Sequence, residues 1–460
     1  MRRRSLLLGA TYLPAAALLG GLGVRALVQR PTPTLLCGGV AVGADGVLWP
    51  LAPGLAPTYL SDSRVPADDA ACPLNLDAAE REQLAQAARE RRAGAQLPSG
   101  RWEQLCSVAL DDLLALTSPV LADTVCGAGT AATAPAITTY PRGAVVAGPL
   151  SWWRYTWPRD ASFVALALAR CGLHGEALEV LTHLAGLQGA DGTFAARYTA
   201  TGGLPDARPP QTDGVGYFAW AIAGVLTTLP AGTRPDAVAT LEAALTRCAD
   251  RLVHLTAGPT GLPPASPDYW EVRERFTTLG TAAATLLGLE AAATQTKLSD
   301  GISDHAAVSA ARLREAIHSA YGVTWGRYPD TVAAAVGSPG QIDAAIALVL
   351  PPFTAALPGA LEVRETAVSR MGRLAGGVAP GEGWRRDGVS WTPETALLAW
   401  SAAGLGWRDE AEALLSWLES HRTTAGALPE KVLADGSPAG PAPLAWTCAL
   451  VLLAVHELAD

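Results

Sequence analysis

From about residue 101 onward, long Ala/Leu-rich segments alternate with loops rich in Gly, Pro and Trp, and apolar positions recur at helical spacing rather than at every second residue. The pattern predicts twelve helices, over 101–119, 160–172, 174–189, 212–229, 233–256, 274–294, 301–321, 339–350, 361–375, 392–405, 408–421 and 441–459. Asp213, Thr233 and Thr392-Pro393-Glu394 supply capping or first-turn residues at their starts. Between the first two, Ala144-Val145-Val146-Ala147 near Tyr140 suggests a short hairpin. Odd-numbered helices carry charges on one face, as in Arg234–Leu255 and Trp407–Arg422, whereas even-numbered ones such as Ala161–Ala169 and Ala442–Val455 are apolar almost all round. A helix without a polar face must be buried on every side. Strict alternation of the two kinds fits an all-α (α/α)6 barrel, a double ring of six helical hairpins. A bundle or an α-solenoid is the plainer alternative, but no repeat of residue identity supports a solenoid.

Ahead of this helical region, residues 31–100 are rich in Pro, Gly, Ala and Asp, with one helical piece near Leu76–Ala93. They read as an irregular N-terminal extension packing against residues 101–460. Residues 1–30 have a different character. Met1-Arg2-Arg3-Arg4 precedes an uncharged, mostly apolar stretch from Ser5 to Val24, the pattern of a signal peptide or signal-anchor. Arg3-Arg4-Ser5-Leu6-Leu7 also has a twin-arginine look. At roughly twenty residues the stretch is just long enough to span a bilayer. The expectation is an exported protein, extracellular or anchored in the membrane through residues 5–24 and facing outside.

Composition narrows the partners. Among 460 residues, 34 Lys+Arg against 43 Asp+Glu give a formal charge of -9, so no nucleic-acid partner is expected. Of seven cysteines, Cys37, Cys72, Cys106 and Cys126 could pair in an oxidising compartment, while Cys171, Cys248 and Cys448 read as buried thiols in helices. No Cys/His spacing suggests zinc, and no cofactor or metal is expected.

The candidate chemistry lies in loops before even-numbered helices. The second helix follows Ser151-Trp152-Trp153-Arg154-Tyr155-Thr156-Trp157-Pro158-Arg159-Asp160, and the sixth follows Asp268-Tyr269-Trp270-Glu271-Val272-Arg273. Gly383-Trp384-Arg385-Arg386-Asp387 and Trp391 precede the tenth, and Leu428-Pro429-Glu430-Lys431 the twelfth, with Trp446 just inside it. If even helices form the inner ring, these loops share one mouth, and Glu271 and Glu430 oppose one another across it. Glycosidic cleavage needs such a pair, one carboxylic acid to protonate the leaving oxygen and a carboxylate on the other side of the sugar. Trp faces suit the C–H faces of a sugar, and Arg and Asp its hydroxyls. The plain readings are a surface Glu271, an Arg159–Asp160 ion pair holding a helix start, and core tryptophans. Glu382 and Glu394 are rival carboxylates, though capping suffices for Glu394.

Tyr155-Thr156-Trp157-Pro158-Arg159-Asp160 resembles the Tyr-x-Trp-Pro-Arg-Asp signature of glycoside hydrolase family 15, the glucoamylase-like enzymes. In order along the chain, Gln211-Thr212-Asp213-Gly214, Trp270-Glu271-Val272-Arg273, Leu428-Pro429-Glu430 and Pro443-Leu444-Ala445-Trp446 resemble further motifs of that family, over residues 101–460. The resemblance implies an inverting, exo-acting hydrolase that releases glucose from α-linked oligo- or polysaccharides, with Glu271 as general acid and Glu430 as general base. It implies sugar contacts at Tyr155, Trp157, Arg159, Asp160, Trp270, Arg273 and Trp446. A further arginine is expected at Arg385 or Arg386, by order along the chain, rather than at the look-alike Gly326-Arg327-Tyr328-Pro329. An inverting pair should stand about 6.5–9.5 Å apart, with the acid kept less ionised by burial against Trp270. Val272 stands where the family has a second Glu, Lys431 where Gln is usual, and Thr447-Cys448 where Ser-His or Ser-Tyr is common. Those departures leave a trehalase or α-1,6-glucosidase open as alternatives, and a non-catalytic carbohydrate-binding envelope protein is a third.

Overall fold

The computed structural model describes residues 34–127, 135–294, 300–337 and 340–460, of which Leu35–Asp460 form one unit. The apolar stretch 5–24 lies outside the described residues, and among those described no helix is long and apolar enough to cross a membrane.

Apolar helices form the inner ring. They are α3 (Pro158–Arg170), α5 (Asp213–Thr228), α7 (Leu279–Thr294), α11 (Thr392–Gly404) and α13 (Ala445–Ala459), with a short 3-10 helix at Ala344–Val349 in the fourth place. Each packs on the next, and α13 packs back on α3, so the ring closes. Around it stand α2 (Glu103–Leu116) on α13, α4 (His174–Leu187) on α3, α6 (Arg234–Thr256) on α5, and α8 (Asp300–Tyr321) on α7. The outer ring is completed by α10 (Ala360–Met371) on the 3-10 helix and α12 (Arg408–Ser420) on α11. The protein is an (α/α)6 barrel. Nearly every side chain of α3, α7, α11 and α13 is buried, as the absence of a polar face demands. Glycine sets the closest approach: a Cβ on Gly216 of α5 would lie 2.0 Å from the Ala284 carbonyl of α7. Nothing larger fits there.

The eighth expected helix, 339–350, is cut to six residues. Asp343 caps its start by accepting from the Ala345 N–H at 2.9 Å, and Pro351-Pro352 ends it by pushing Leu350 into extended backbone. A short helix α9 (Asp330–Ala335) precedes it that the sequence pattern did not suggest.

The N-terminal segment carries α1 (Ala78–Arg91), started by a capping box between Asp77 and Glu80. Its strands β1 (Gly39–Val42) and β2 (Val47–Leu51) extend into a sheet with β3 (Val120–Ala122) and β4 (Ile137–Thr139), which follow α2, in the order β1-β2-β3-β4. The expected hairpin near Tyr140 is therefore different: β4 pairs with β3, while Val145 makes one bridge to Thr117. Cys72 and Cys126 form a disulfide, and Cys37 and Cys106 are separate buried thiols. The buried Arg64–Asp112 ion pair, at 2.6 Å, ties this segment to α2. A second small sheet joins β5 (Ser390–Trp391), β6 (Lys431–Val432) and β7 (Pro438–Ala439), locking the start of α11 to the segment before α13.

Candidate active site

The N-terminal ends of the inner helices converge on one mouth, and each brings an acidic side chain. Asp160 and Asp213 lie in the first turns of α3 and α5, and Asp268 lies in the loop before α7. Asp343 caps the 3-10 helix, Glu394 lies in the first turn of α11, and Glu430 lies ahead of α13. Unpaired N–H groups and the positive end of the helix dipole favour negative charge at Asp160, Asp213, Asp343 and Glu394.

Two buried arginines tie these acids together. Arg159 Nη1 donates to Asp213 Oδ2 at 3.0 Å and Nη2 to Glu271 Oε1 at 3.1 Å. Its Nε stands 3.3 Å from Asp160 Oδ2, and its guanidinium lies 5.3 Å from the Trp446 ring centre. On the far side, Arg327 donates at 2.8 Å to Asp343 Oδ2, Asp268 Oδ1 and Glu274 Oε1, and stacks 3.8 Å from the Trp270 ring centre. Burial disfavours both cations, but their carboxylate partners more than offset it and hold both charged.

Glu271 is a backbone outlier, at φ 53, on a turn closed by its N–H donating to the Asp268 carbonyl at 2.8 Å. A left-handed non-glycine residue costs free energy and marks a functional candidate. Its side chain is 29% exposed and fully engaged. Oε1 accepts from Arg159 and, at 2.9 Å, from Gln211 Nε2; Oε2 accepts from Arg208 Nη1 at 2.6 Å. Glu430 is 10% exposed. Trp153 Nε1 donates to its Oε1 at 3.3 Å, and Lys431 Nζ lies 2.9 Å from Oε2 as an ion pair without hydrogen-bond alignment. Gly440, at φ 76, passes so close that a Cβ there would lie 2.5 Å from Glu430 Oε2. The burial expected for Glu271 against Trp270 thus runs the other way. Trp270 turns under Arg327 and meets Trp384 edge-on at 4.8 Å, and Glu430 is the more buried carboxylate.

Asp160, Asp213 and Glu394 are raised above the usual carboxylate range. Burial pushes Asp160 up to about 6 against the pull of Arg159, with the charges of Glu271 and Glu430 adding to the rise. Asp160 therefore feels both glutamates. Burial likewise lifts Asp213 to about 6, opposed by Arg159, and Glu394 to about 8, with Glu430 and Asp343 contributing. Among the described residues, Glu394 Oε2 and the indole N–H groups of Trp157, Trp270, Trp384, Trp391 and Trp446 are buried with no hydrogen-bond partner in the chain. Such groups are costly unless a polar ligand meets them.

Of the residues singled out by sequence, Arg159, Asp160, Glu271 and Trp446 are joined by the contacts above and Trp270 adjoins Glu271; Glu430 meets Trp153 and Lys431 ahead of α13, and Trp157 precedes α3 at this mouth. Tyr155 lies beside it, its ring 6.3 Å from Trp157 and under Arg197 at 4.8 Å. Arg273, Arg385 and Arg386 are exposed; Arg385 covers the Trp384 ring at 5.2 Å, and none of the three joins the carboxylate cluster. The arginine buried there is Arg327, of the look-alike segment. Arg208, Glu274 and Asp343 complete the network without having been singled out for it, and Glu394, a rival carboxylate by sequence, is buried in the first turn of α11. The acids that hold Arg327, namely Asp343, Glu274 and Asp268, lie 16, 53 and 59 residues away along the chain, so no local signal marked it.

The chain matches no protein-family model and no curated protein by sequence. Solved structures do resemble it. A glycosidase variant in complex with glucose superposes with a TM-score of 0.56 at 22% identity, over 69% of this chain and 91% of the other. A bacterial glucoamylase complexed with acarbose gives 0.63 at 15% identity, over 84% of this chain and 60% of that one. The glucoamylase of Saccharomycopsis fibuligera gives 0.58 at 14% identity, over 80% and 97%. The fold is glucoamylase-like.

Proposed function

We propose that the protein is an inverting glycoside hydrolase that releases glucose from the non-reducing ends of α-linked glucosides, with Glu271 as general acid and Glu430 as general base. One observation carries the reading. The two glutamates precede α7 and α13, three places apart in a closed ring of six, which sets their loops on opposite sides of the ring. Protonated Glu271 gives its proton to the glycosidic oxygen as that C–O bond breaks. Water, deprotonated by Glu430, attacks the anomeric carbon from the opposite side, and the proton returns from Glu430 to Glu271 through solvent. Arg159 and the unpartnered indole N–H groups are suited to grip sugar hydroxyls, while the tryptophan rings present apolar faces. Glucose and acarbose, found with structural neighbours, are ligands of this chemical kind. The basic N-terminus, the apolar stretch after it and the Cys72–Cys126 bridge support an exported protein.

Glu271→Gln and Glu430→Gln should each lower maltose hydrolysis by about 10²- to 10⁴-fold with little change in melting temperature. Turnover within a few-fold of wild type in either variant would refute the assignment. Maltose, isomaltose and trehalose assayed side by side sort the linkage, since Val272 removes a carboxylate from the acid motif. One observation favours a second reading, a non-catalytic carbohydrate-binding protein: both glutamates are held in ion pairs with cations. Sugar binding without glucose release from any of the three disaccharides would select it.

A further inference from the structure

Arg208 lies in the loop between α4 and α5, 33% exposed, and followed by Pro209-Pro210, which restrict its backbone. Its guanidinium has two attachments. Nε donates to Asp206 at 3.1 Å (Oδ1) and 3.2 Å (Oδ2), and Nη1 donates to Glu271 Oε2 at 2.6 Å. Asp206 is a fixed anchor, because it also accepts from Arg197, which is buried against the rings of Tyr155 and Trp157 at 4.8 and 5.1 Å. The other oxygen of Glu271 is committed to Arg159 and Gln211, both buried and built into the ring wall. Oε2 is thus the oxygen on which a transferable proton must sit, and Arg208 covers it. A charged N–H donor at 2.6 Å favours the ionised carboxylate, so Arg208 in this position opposes a proton on Oε2 and occupies the approach of a leaving oxygen.

Resting on the reading of Glu271 as general acid, we infer that Arg208 is a positioning residue that clamps Glu271 Oε2 in the free protein and must swing away, hinged on Asp206, when the leaving-group sugar arrives. Displacement lets Glu271 take a proton from solvent at Oε2 and pass it to the glycosidic oxygen. The guanidinium keeps Asp206 as its partner and turns its freed Nη1 to the hydroxyls of the leaving sugar. The charged groups around Glu271 are Arg159 and Asp160 from α3, Asp213 from α5, and Arg208 itself, and of these Arg208 alone is solvent-exposed.

The test uses the full chain and compares maltose with α-glucosyl fluoride, whose leaving group needs little proton assistance. Arg208→Gln should move the basic limb of the kcat/KM profile for maltose upward by about one pH unit, leave the fluoride profile in place, and raise KM for maltose. Arg208→Lys should restore the wild-type limb. A crystal structure of the wild type with acarbose should have Arg208 on Asp206 and away from Glu271. An unmoved basic limb in Arg208→Gln, or a bound acarbose with Arg208 still on Oε2, overturns the clamp. Failure of the underlying reading looks different: Glu271→Gln would hydrolyse maltose normally. A wild type that neither cleaves nor binds these compounds removes the clamp together with that reading.

Discussion

Glu271 stands on an open loop in a left-handed turn, and its contacts are side-chain N–H donors, two of them charged. Glu430 sits immediately before β6 of the small sheet, close against Gly440, with its backbone N–H donating to the Pro441 carbonyl at 2.9 Å and its carbonyl accepting from the Thr392 N–H at 3.1 Å. The N-terminal segment adds to this support, as the Leu36 N–H donates to the Gly440 carbonyl at 2.9 Å. One carboxylate is set by charge and the other by backbone packing. A group that must carry a transferable proton gains from contacts that can be exchanged. A group that must hold one water at a fixed angle gains from a rigid seat.

The contrast can be broken at the seat first. Gly440→Ala puts a Cβ into Glu430 and forces a side chain into positive φ, so kcat should fall at least about tenfold with a stability loss of about 1–2 kcal/mol. Unchanged kcat would mean that Glu430 does not need its seat. A smaller effect separates charge from packing. The folded-state values of Asp160, Asp213 and Glu394 are raised, so their protonated forms favour folding, and stability falls as pH rises from about 4 through 6 and on to about 8. Glu394→Gln keeps the shape without the titration. Its melting temperature should fall less steeply between about pH 5 and 8, a relative gain over wild type of about 1 kcal/mol or more across that window. Parallel pH curves for the two would contradict the burial assigned to Glu394. The smallest effect belongs to exposed arginines: Arg385→Ala and Arg386→Ala should alter kcat/KM for maltose less than about threefold, because neither meets the carboxylate cluster.

The helices were legible because burial on all sides leaves a compositional mark, plain in the unbroken apolar runs of α3 and α13. The one inner helix that shrank lost its first five residues, because Asp343 stays in extended backbone and caps it only from Ala344. Loops that carry acids and tryptophans were legible for the same reason, since each lies between an outer and an inner helix. Which arginine serves them was not. Arg327 follows α8 and Arg385 follows α10, and both loops run from an outer helix to the mouth, so order along the chain cannot separate them. The difference is a long-range one: Gly326 bridges to Ile342, turning Arg327 inward onto Asp268, Glu274 and Asp343. Arg208 escaped notice likewise, because its partner Glu271 is remote in sequence.

The most direct test of the opposed pair is the anomeric form of the glucose first released from maltose, followed by proton NMR before mutarotation. Attack by water from the Glu430 side with Glu271 as acid predicts β-glucose. First-formed α-glucose would contradict the account.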